Sequence, residues 1–227
     1  MNTLVLLSGG LDSAVLVAHE AQSATVQPLY VSVGLAWEPG ERLMVDRLLT
    51  APLFAGKTLP LAPVECTMRD IYPPAHWAIR GEPPGTDAPE DDVYLAGRNL
   101  ALLTKAALVA TGSGAQRIAL GTLSGNPFPD ARPEFLSAMA TAVSLGLDHA
   151  IEIATPFLRW NKAQVIRRGV ELGVPLELTL SCMTPSVVAE GALPVHCGRC
   201  SKCRERRDAF AEAGVRDPSE YANPSSR

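Results

Sequence analysis

Two groups of residues in this chain have the types and spacing to do chemistry. The first is Ser8-Gly9-Gly10-Leu11-Asp12-Ser13, entered from the apolar run Leu4-Val5-Leu6-Leu7 and followed by a helix-patterned segment at 14–21. Adjacent glycines turn a backbone sharply and let it approach a ligand with no Cβ in the way. A strand, a glycine turn and a helix start also aim unpaired N–H groups at one point. The positive end of the helix dipole adds to them, and the combination suits a phosphate. Ser8 and Ser13 supply hydroxyl donors there, whereas Asp12 has the wrong sign for direct phosphate contact and suits Mg²⁺ or a water. A plain tight βα turn capped by Asp12 or Ser13 has the same pattern, so both readings stand at this level. No lysine follows the glycines as in GxxxxGK[ST], and their adjacency excludes GxGxxG.

The second group is Cys197, Cys200 and Cys203, spaced CxxCxxC, with Cys182 upstream. Three thiolates at that spacing converge on one ion, and Cys182 completes a closed tetrahedral Zn²⁺ site. A fully thiolate-ligated zinc has no open position for a substrate, so its role is to staple a loop-rich tail. A 4Fe–4S cluster takes the same four ligands. His196 is surplus beside four thiolates. The fifth cysteine, Cys66, reads as a small buried apolar residue or a reactive thiol.

Three weaker groups accompany these. Gly97-Arg98-Asn99 opens an alanine- and leucine-rich helix and places a cation, an amide and backbone N–H groups together, which suits a nucleotide or a carboxylate as well as a surface Arg with an Asn cap. Asn126, Asp130 and Arg132 lie in a proline-bounded loop at 123–132. Lys162 follows Asn161, a helix cap, and a lysine in a first turn works against the helix dipole unless an anion sits nearby.

The elements that must position these groups alternate. A strand at 25–33, a loop at 34–40, a helix at 41–53 and a strand at 58–64 follow the first strand and helix. Further on come a helix to about 110, a strand at 117–122, a helix at 133–145, a strand at 151–154, a helix ending near Gly173 and a last helix at 204–213. Such alternation predicts a mostly parallel sheet with helices on both faces and ligands at the carboxyl ends of its strands. The proline-rich stretch 72–92, ending in Glu90-Asp91-Asp92, reads as a solvated connector or a flap over substrate. Residues 217–227 are expected to fray.

With 227 residues, 47% hydrophobic and 19% charged, the chain can bury a full core. A net charge of −4 argues against a broad nucleic-acid footprint, so a small-molecule substrate is expected first. No run reaches the roughly 18 apolar residues of a membrane span, and the start lacks the features of a secretory signal. A cytoplasmic protein is expected.

The six-residue loop resembles the SGGxDS signature of the PP-loop ATP pyrophosphatases, which cleave ATP between its α and β phosphates. Taken with the C-terminal cysteines, the chain is similar to the 7-cyano-7-deazaguanine synthase family. That likeness extends to Gly97-Arg98-Asn99, Pro129-Asp130-Ala131-Arg132, Thr155-Pro156 with Lys162, and Glu212-Ala213-Gly214.

The resemblance implies a parallel five-stranded sheet of the adenine nucleotide alpha hydrolase-like, Rossmann-like type at 1–175 and a zinc-binding segment at 176–227. It also implies a homodimer, and ATP, Mg²⁺ and Zn²⁺ as cofactors. The implied reaction converts 7-carboxy-7-deazaguanine and ammonia to the nitrile through an acyl-adenylate and an amide, releasing AMP and pyrophosphate. Leu7, Ser8, Gly9, Gly10, Leu11, Asp12 and Ser13 would hold the nucleotide, with Lys162 neutralising the pyrophosphate and Asp12 helping with the metal. Arg98 with Asn99, Asp130 and Arg132 would serve the substrate side. The chain departs from the family pattern at 33–38, where the family has Tyr-Gly-Gln and then a His, and at 124–129, and its gap from Cys182 to Cys197 is longer than usual. The first two departures fall where the base would be recognised.

Overall fold

A computed structural model describes residues 2–186 and 192–223. The chain runs β1 (Asn2–Leu6), α1 (Leu11–Glu20), β2 (Thr25–Ser32), α2 (Glu38–Thr50), β3 (Ala62–Glu65), α3 (Trp77–Arg80) and α4 (Arg98–Ser113). It continues through β4 (Arg117–Ala119), α5 (Pro133–Leu147), β5 (Glu152–Ala154), α6 (Lys162–Leu172) and α7 (Ser201–Ala213). The five strands pair in parallel in the order β3-β2-β1-β4-β5, which places β1 at the centre. The expected five-stranded parallel sheet is therefore present.

The strands read as near-continuous apolar runs because both faces are covered. Side chains alternate across the pleat. Leu4 and Leu6 of β1, with Leu29 and Val31 of β2, enter the core shared with Leu103 and Ala107 of α4 and Leu136 of α5. Val5 and Leu7, with Val26 and Tyr30, enter the core shared with Val15 of α1, Ile166 of α6 and Phe210 of α7. The cysteine-bearing segment thus packs into the same cores as the sheet. Arg206 of α7 is fully buried and fastens it by donating to the Thr179 hydroxyl at 2.8 Å, the Leu176 carbonyl at 3.1 Å and the Asp217 carboxylate at 3.2 Å.

What this fold does for function is to bring helix starts together above the sheet. α1 and α6 cross closely at Gly169, where a Cβ would lie 2.8 Å from the Val15 side chain. Their first turns then face each other. α6 starts on a complete capping box: the Asn161 carboxamide accepts from the Gln164 N–H, and the Gln164 side chain accepts from the Asn161 N–H, each at 2.9 Å. α4 starts at Gly97, whose left-handed φ of 76° favours glycine.

The stretch 72–92 carries α3 and the start of a 3₁₀ turn at Glu90–Val93, and it is docked. The Ala36 N–H donates to the Ala78 carbonyl at 2.9 Å, and the Tyr72 hydroxyl to the Ala96 carbonyl at 2.9 Å. A β-bridge joins Gly85 to Cys200. α2 begins earlier than its apolar spacing suggests. The buried Glu38 carboxylate collects the N–H groups of Val33, Gly34 and Leu35 at 2.8–3.1 Å, which fixes the preceding turn. Among the described residues no helix is long and apolar enough to cross a membrane. Of the expected frayed end, 224–227 lie outside the described residues.

Candidate active site and metal centre

The glycine loop is held by its own serines. The Gly10 N–H donates to Ser8 Oγ at 3.3 Å, the Ser8 N–H to Ser13 Oγ at 3.3 Å, and the Ser13 hydroxyl to the Gly10 carbonyl at 2.9 Å. Gly9 has φ +77°, and a Cβ there would lie 2.9 Å from the Glu41 carbonyl oxygen and 3.3 Å from Val45. The Leu180 N–H caps the other side by donating to the Gly9 carbonyl at 2.8 Å. We expect Gly9→Ala to cost about 1–3 kcal/mol of stability, because the loop must lift off α2. Thermal melting checks this, and a wild-type melting temperature would contradict it.

Four charged side chains from three helix starts meet beside the loop. Lys162 Nζ lies 3.3 Å from Asp12 of α1 and is also paired with Glu205 of α7, which Lys202 holds at 2.6 Å. Burial alone would lower the pKa of Lys162, but Asp12 and Glu205 outweigh it and keep it above the usual lysine range. Glu205 is likewise penalised by burial, and the two lysines bring it down to about 2. Asp12 is pushed up by burial against the pull of Lys162. Glu205 is thus the carboxylate held firmly ionised. Asp12 keeps a buried oxygen, Oδ1, with no hydrogen-bond partner among the described residues, which fits a cation ligand.

Two cavities adjoin this cluster. One of about 220 Å³ lies over the carboxyl ends of β1, β2 and β4, between Leu7, Tyr30 and Gly121. The other, of about 290 Å³, is lined by Trp37, Trp77, Tyr94 and Phe128. Ser8, Gly10, Asp12, Glu41, Arg98 and Asn99 line both. Arg98 Nε is buried and has no hydrogen-bond partner among the described residues, so a cation is available at the junction. Asp130 caps α4: its carboxylate accepts from the Asn99 N–H and its carbonyl from the Asn99 carboxamide, each at 3.0 Å. Burial pushes the Asp130 pKa up. Arg132 is exposed at the start of α5. Of the four residues expected on the substrate side, three reach the second cavity.

The four cysteines are buried, and their sulfurs all lie within 4.8 Å of one another. Sulfurs on a tetrahedral zinc, with Zn–S bonds of about 2.3 Å, stand roughly 3.8 Å apart. The Cys200–Cys203 and Cys197–Cys203 separations, 3.5 and 3.9 Å, bracket that value. Backbone N–H groups of Thr184 and Cys197 donate to Cys182 Sγ, as second-layer donors do at thiolate sites. A metal such as zinc fits. His196 is no part of the set: its Nε2 accepts from the Ser181 N–H at 3.1 Å, and burial lowers its pKa to about 4, leaving it neutral.

Residues 2–214 match the family described as queuosine biosynthesis protein QueC. The chain belongs to the QueC family. It is 32% identical to the 7-cyano-7-deazaguanine synthase of Methanopyrus kandleri over 241 residues, covering 96% of this chain and 98% of that one. It is 35% identical to the 7-cyano-7-deazaguanine synthase of Anaeromyxobacter dehalogenans, with 96% and 95% covered. The same named synthase of Methanospirillum hungatei is 34% identical, with 97% and 100% covered. The resemblance carried by the glycine loop and the cysteines is therefore shown.

At this candidate site, sequence reasoning missed Glu41, Lys202 and Glu205. The last two were within reach. A helix starting beside Cys200 puts positions 202 and 205 on one face, three residues apart, next to the metal. Glu41 gave no signal, because nothing in its neighbourhood marks it as turned toward the glycine loop.

Proposed function

We propose that the protein converts 7-carboxy-7-deazaguanine and ammonia to 7-cyano-7-deazaguanine, using two ATP and releasing two AMP and two pyrophosphates. The observation that carries this reading is the junction of two cavities at the glycine loop and Arg98, in a chain of the QueC family. One cavity, at the strand ends, takes ATP. The other takes the acceptor, whose carboxylate meets the α-phosphorus where the two join.

The substrate carboxylate attacks the α-phosphorus and pyrophosphate leaves. Ammonia displaces AMP from the acyl-adenylate to give an amide. The amide oxygen attacks a second ATP, and loss of AMP with a proton leaves the nitrile. The chain's task is positioning and charge stabilisation, and no nucleophilic side chain is needed. The N–H groups of Gly9 and Gly10 and the hydroxyls of Ser8 and Ser13 receive the pyrophosphate, for which the serines exchange their mutual bonds. Lys162 turns from Glu205 toward the developing charge, and Lys202 keeps Glu205 neutralised meanwhile. Arg98 steadies the oxygen that attacks, with Asn99 and Asp130 fixing the start of its helix and Arg132 at the outer edge. Asp12 would hold Mg²⁺, which when bound neutralises phosphate charge.

Incubating the purified protein with ATP, Mg²⁺, ammonia and 7-carboxy-7-deazaguanine tests the proposal. The nitrile should appear with AMP and pyrophosphate. AMP release without nitrile would contradict it and point to another carboxylate acceptor.

A further inference from the structure

The second cavity has a feature that phosphate chemistry does not explain. Glu41 of α2, at the junction with the first cavity, lines it while buried beside aromatic side chains, its two oxygens accepting from the Trp37 indole N–H at 3.1 Å and the Tyr30 hydroxyl at 3.0 Å. A buried carboxylate is costly unless its remaining lone pairs are used. Each oxygen here has one lone pair left, and the opposite charge near it is Arg98. Burial pushes the Glu41 pKa up to about 7, against the pull of Arg98 and of its two hydrogen bonds.

The walls around it are planar. Trp37 and Trp77 stack with ring centroids 5.8 Å apart and planes 11° from parallel. Tyr94 and Phe128 stack at 5.0 Å and 23°. Trp77, Tyr94 and Phe128 are only partly buried, so ring surface is left for a ligand. A cavity with aromatic walls and the acceptor pair of a buried carboxylate suits a flat heterocycle that presents two adjacent N–H donors.

We infer that Glu41 reads the acceptor, its carboxylate taking the ring N–H and exocyclic amino group of a 2-aminopyrimidinone edge while the ring stacks against the aromatic walls. This inference rests on the proposed function, and it adds the residue that sets acceptor specificity. Trp37 and Tyr30 are positioning residues that fix the carboxylate. Trp77, on the docked segment, supplies stacking area without reading the edge. An analogue lacking the exocyclic amino group leaves one Glu41 lone pair without a donor, and hydrogen bonds to charged groups are worth about 10- to 100-fold in affinity.

The test titrates the zinc-loaded protein with 7-carboxy-7-deazaguanine and with 7-carboxy-7-deazahypoxanthine, following tryptophan emission, with melting temperature measured in parallel. Wild type should prefer the amino compound by about 10- to 100-fold. Glu41→Gln should abolish that preference, its melting temperature showing that it folds. Trp77→Ala should weaken both compounds alike and keep the preference. A Glu41→Gln variant that retains full discrimination would overturn the inference, as would a wild type that binds both compounds equally even if the variant fails to fold. A wild type that binds neither compound overturns the proposed function too. A wild type that makes the nitrile without discriminating overturns the role of Glu41 alone.

Discussion

Lys162→Met should lower AMP release at saturating ATP by about 10²- to 10³-fold, the scale on which a single preorganised stabilising group acts. Lys162 is the cation poised beside the glycine loop, 15% exposed at its side chain and shared between Asp12 and Glu205. Removing it also leaves two carboxylates less well paired. Breaking a buried pair costs about 3–5 kcal/mol, and the bond from Lys202 to Glu205 makes the lower figure the better expectation. Lys162→Arg separates the two effects. It keeps the charge and most of the stability, yet a planar guanidinium does not reach the leaving oxygens as the ammonium does. Melting temperature and AMP release measured on both variants check this. A Met variant within threefold of wild-type release would make Lys162 a structural ion-pair partner only.

Loss of the tail metal should be as damaging, and for a reason visible in one helix. Cys200 lies immediately before α7 and Cys203 lies within its first turn, which also holds Lys202, and Glu205 follows one turn on. A metal held by these sulfurs would therefore fix the carboxylate that pairs with Lys162. Structural zinc contributes about 10–16 kcal/mol in isolated fingers, comparable to the whole stability of a domain. We expect Cys200→Ser to purify with little zinc and to lose AMP release by more than about 100-fold, the effect of unseating an electrostatic group. Amide exchange should rise across residues 195–206, while β1, at the centre of the sheet, stays protected. Elemental analysis, exchange and activity on one preparation test the chain of cause. Full activity without zinc would break it, and iron with a visible charge-transfer band would replace the zinc assignment.

The parts legible in the sequence are those whose information is local. The glycine loop, the CxxCxxC run and the Asn161 cap each lie within a few residues, and strand–helix alternation gave the parallel sheet. Contacts between distant segments were not legible. Lys162 and Glu205 are 43 positions apart, and nothing at either names the other. Trp37 meets Trp77 because 72–92 docks through the Ala36–Ala78 hydrogen bond, which its proline content conceals. Residues 34–40 read as a loop because two glycines and a proline punctuate them, and the buried Glu38 that starts α2 there looks like a surface charge in sequence. Asp130 shows the same limit in reverse. It was legible as a candidate for the substrate side, but that its groups are occupied by Asn99 appears only in the fold.

The central claim is that an oxygen from the substrate carboxylate attacks the α-phosphorus in each of two cycles, first in the carboxylate and then in the amide, and isotope transfer measures it most directly. The purified protein would be given 7-carboxy-7-deazaguanine with both carboxyl oxygens labelled with ¹⁸O, together with ATP, Mg²⁺ and ammonia. The account predicts an unlabelled nitrile and one ¹⁸O in each AMP, two labelled AMP per nitrile formed. Nitrile or amide formed with unlabelled AMP, or with ADP and phosphate in place of AMP and pyrophosphate, would contradict it.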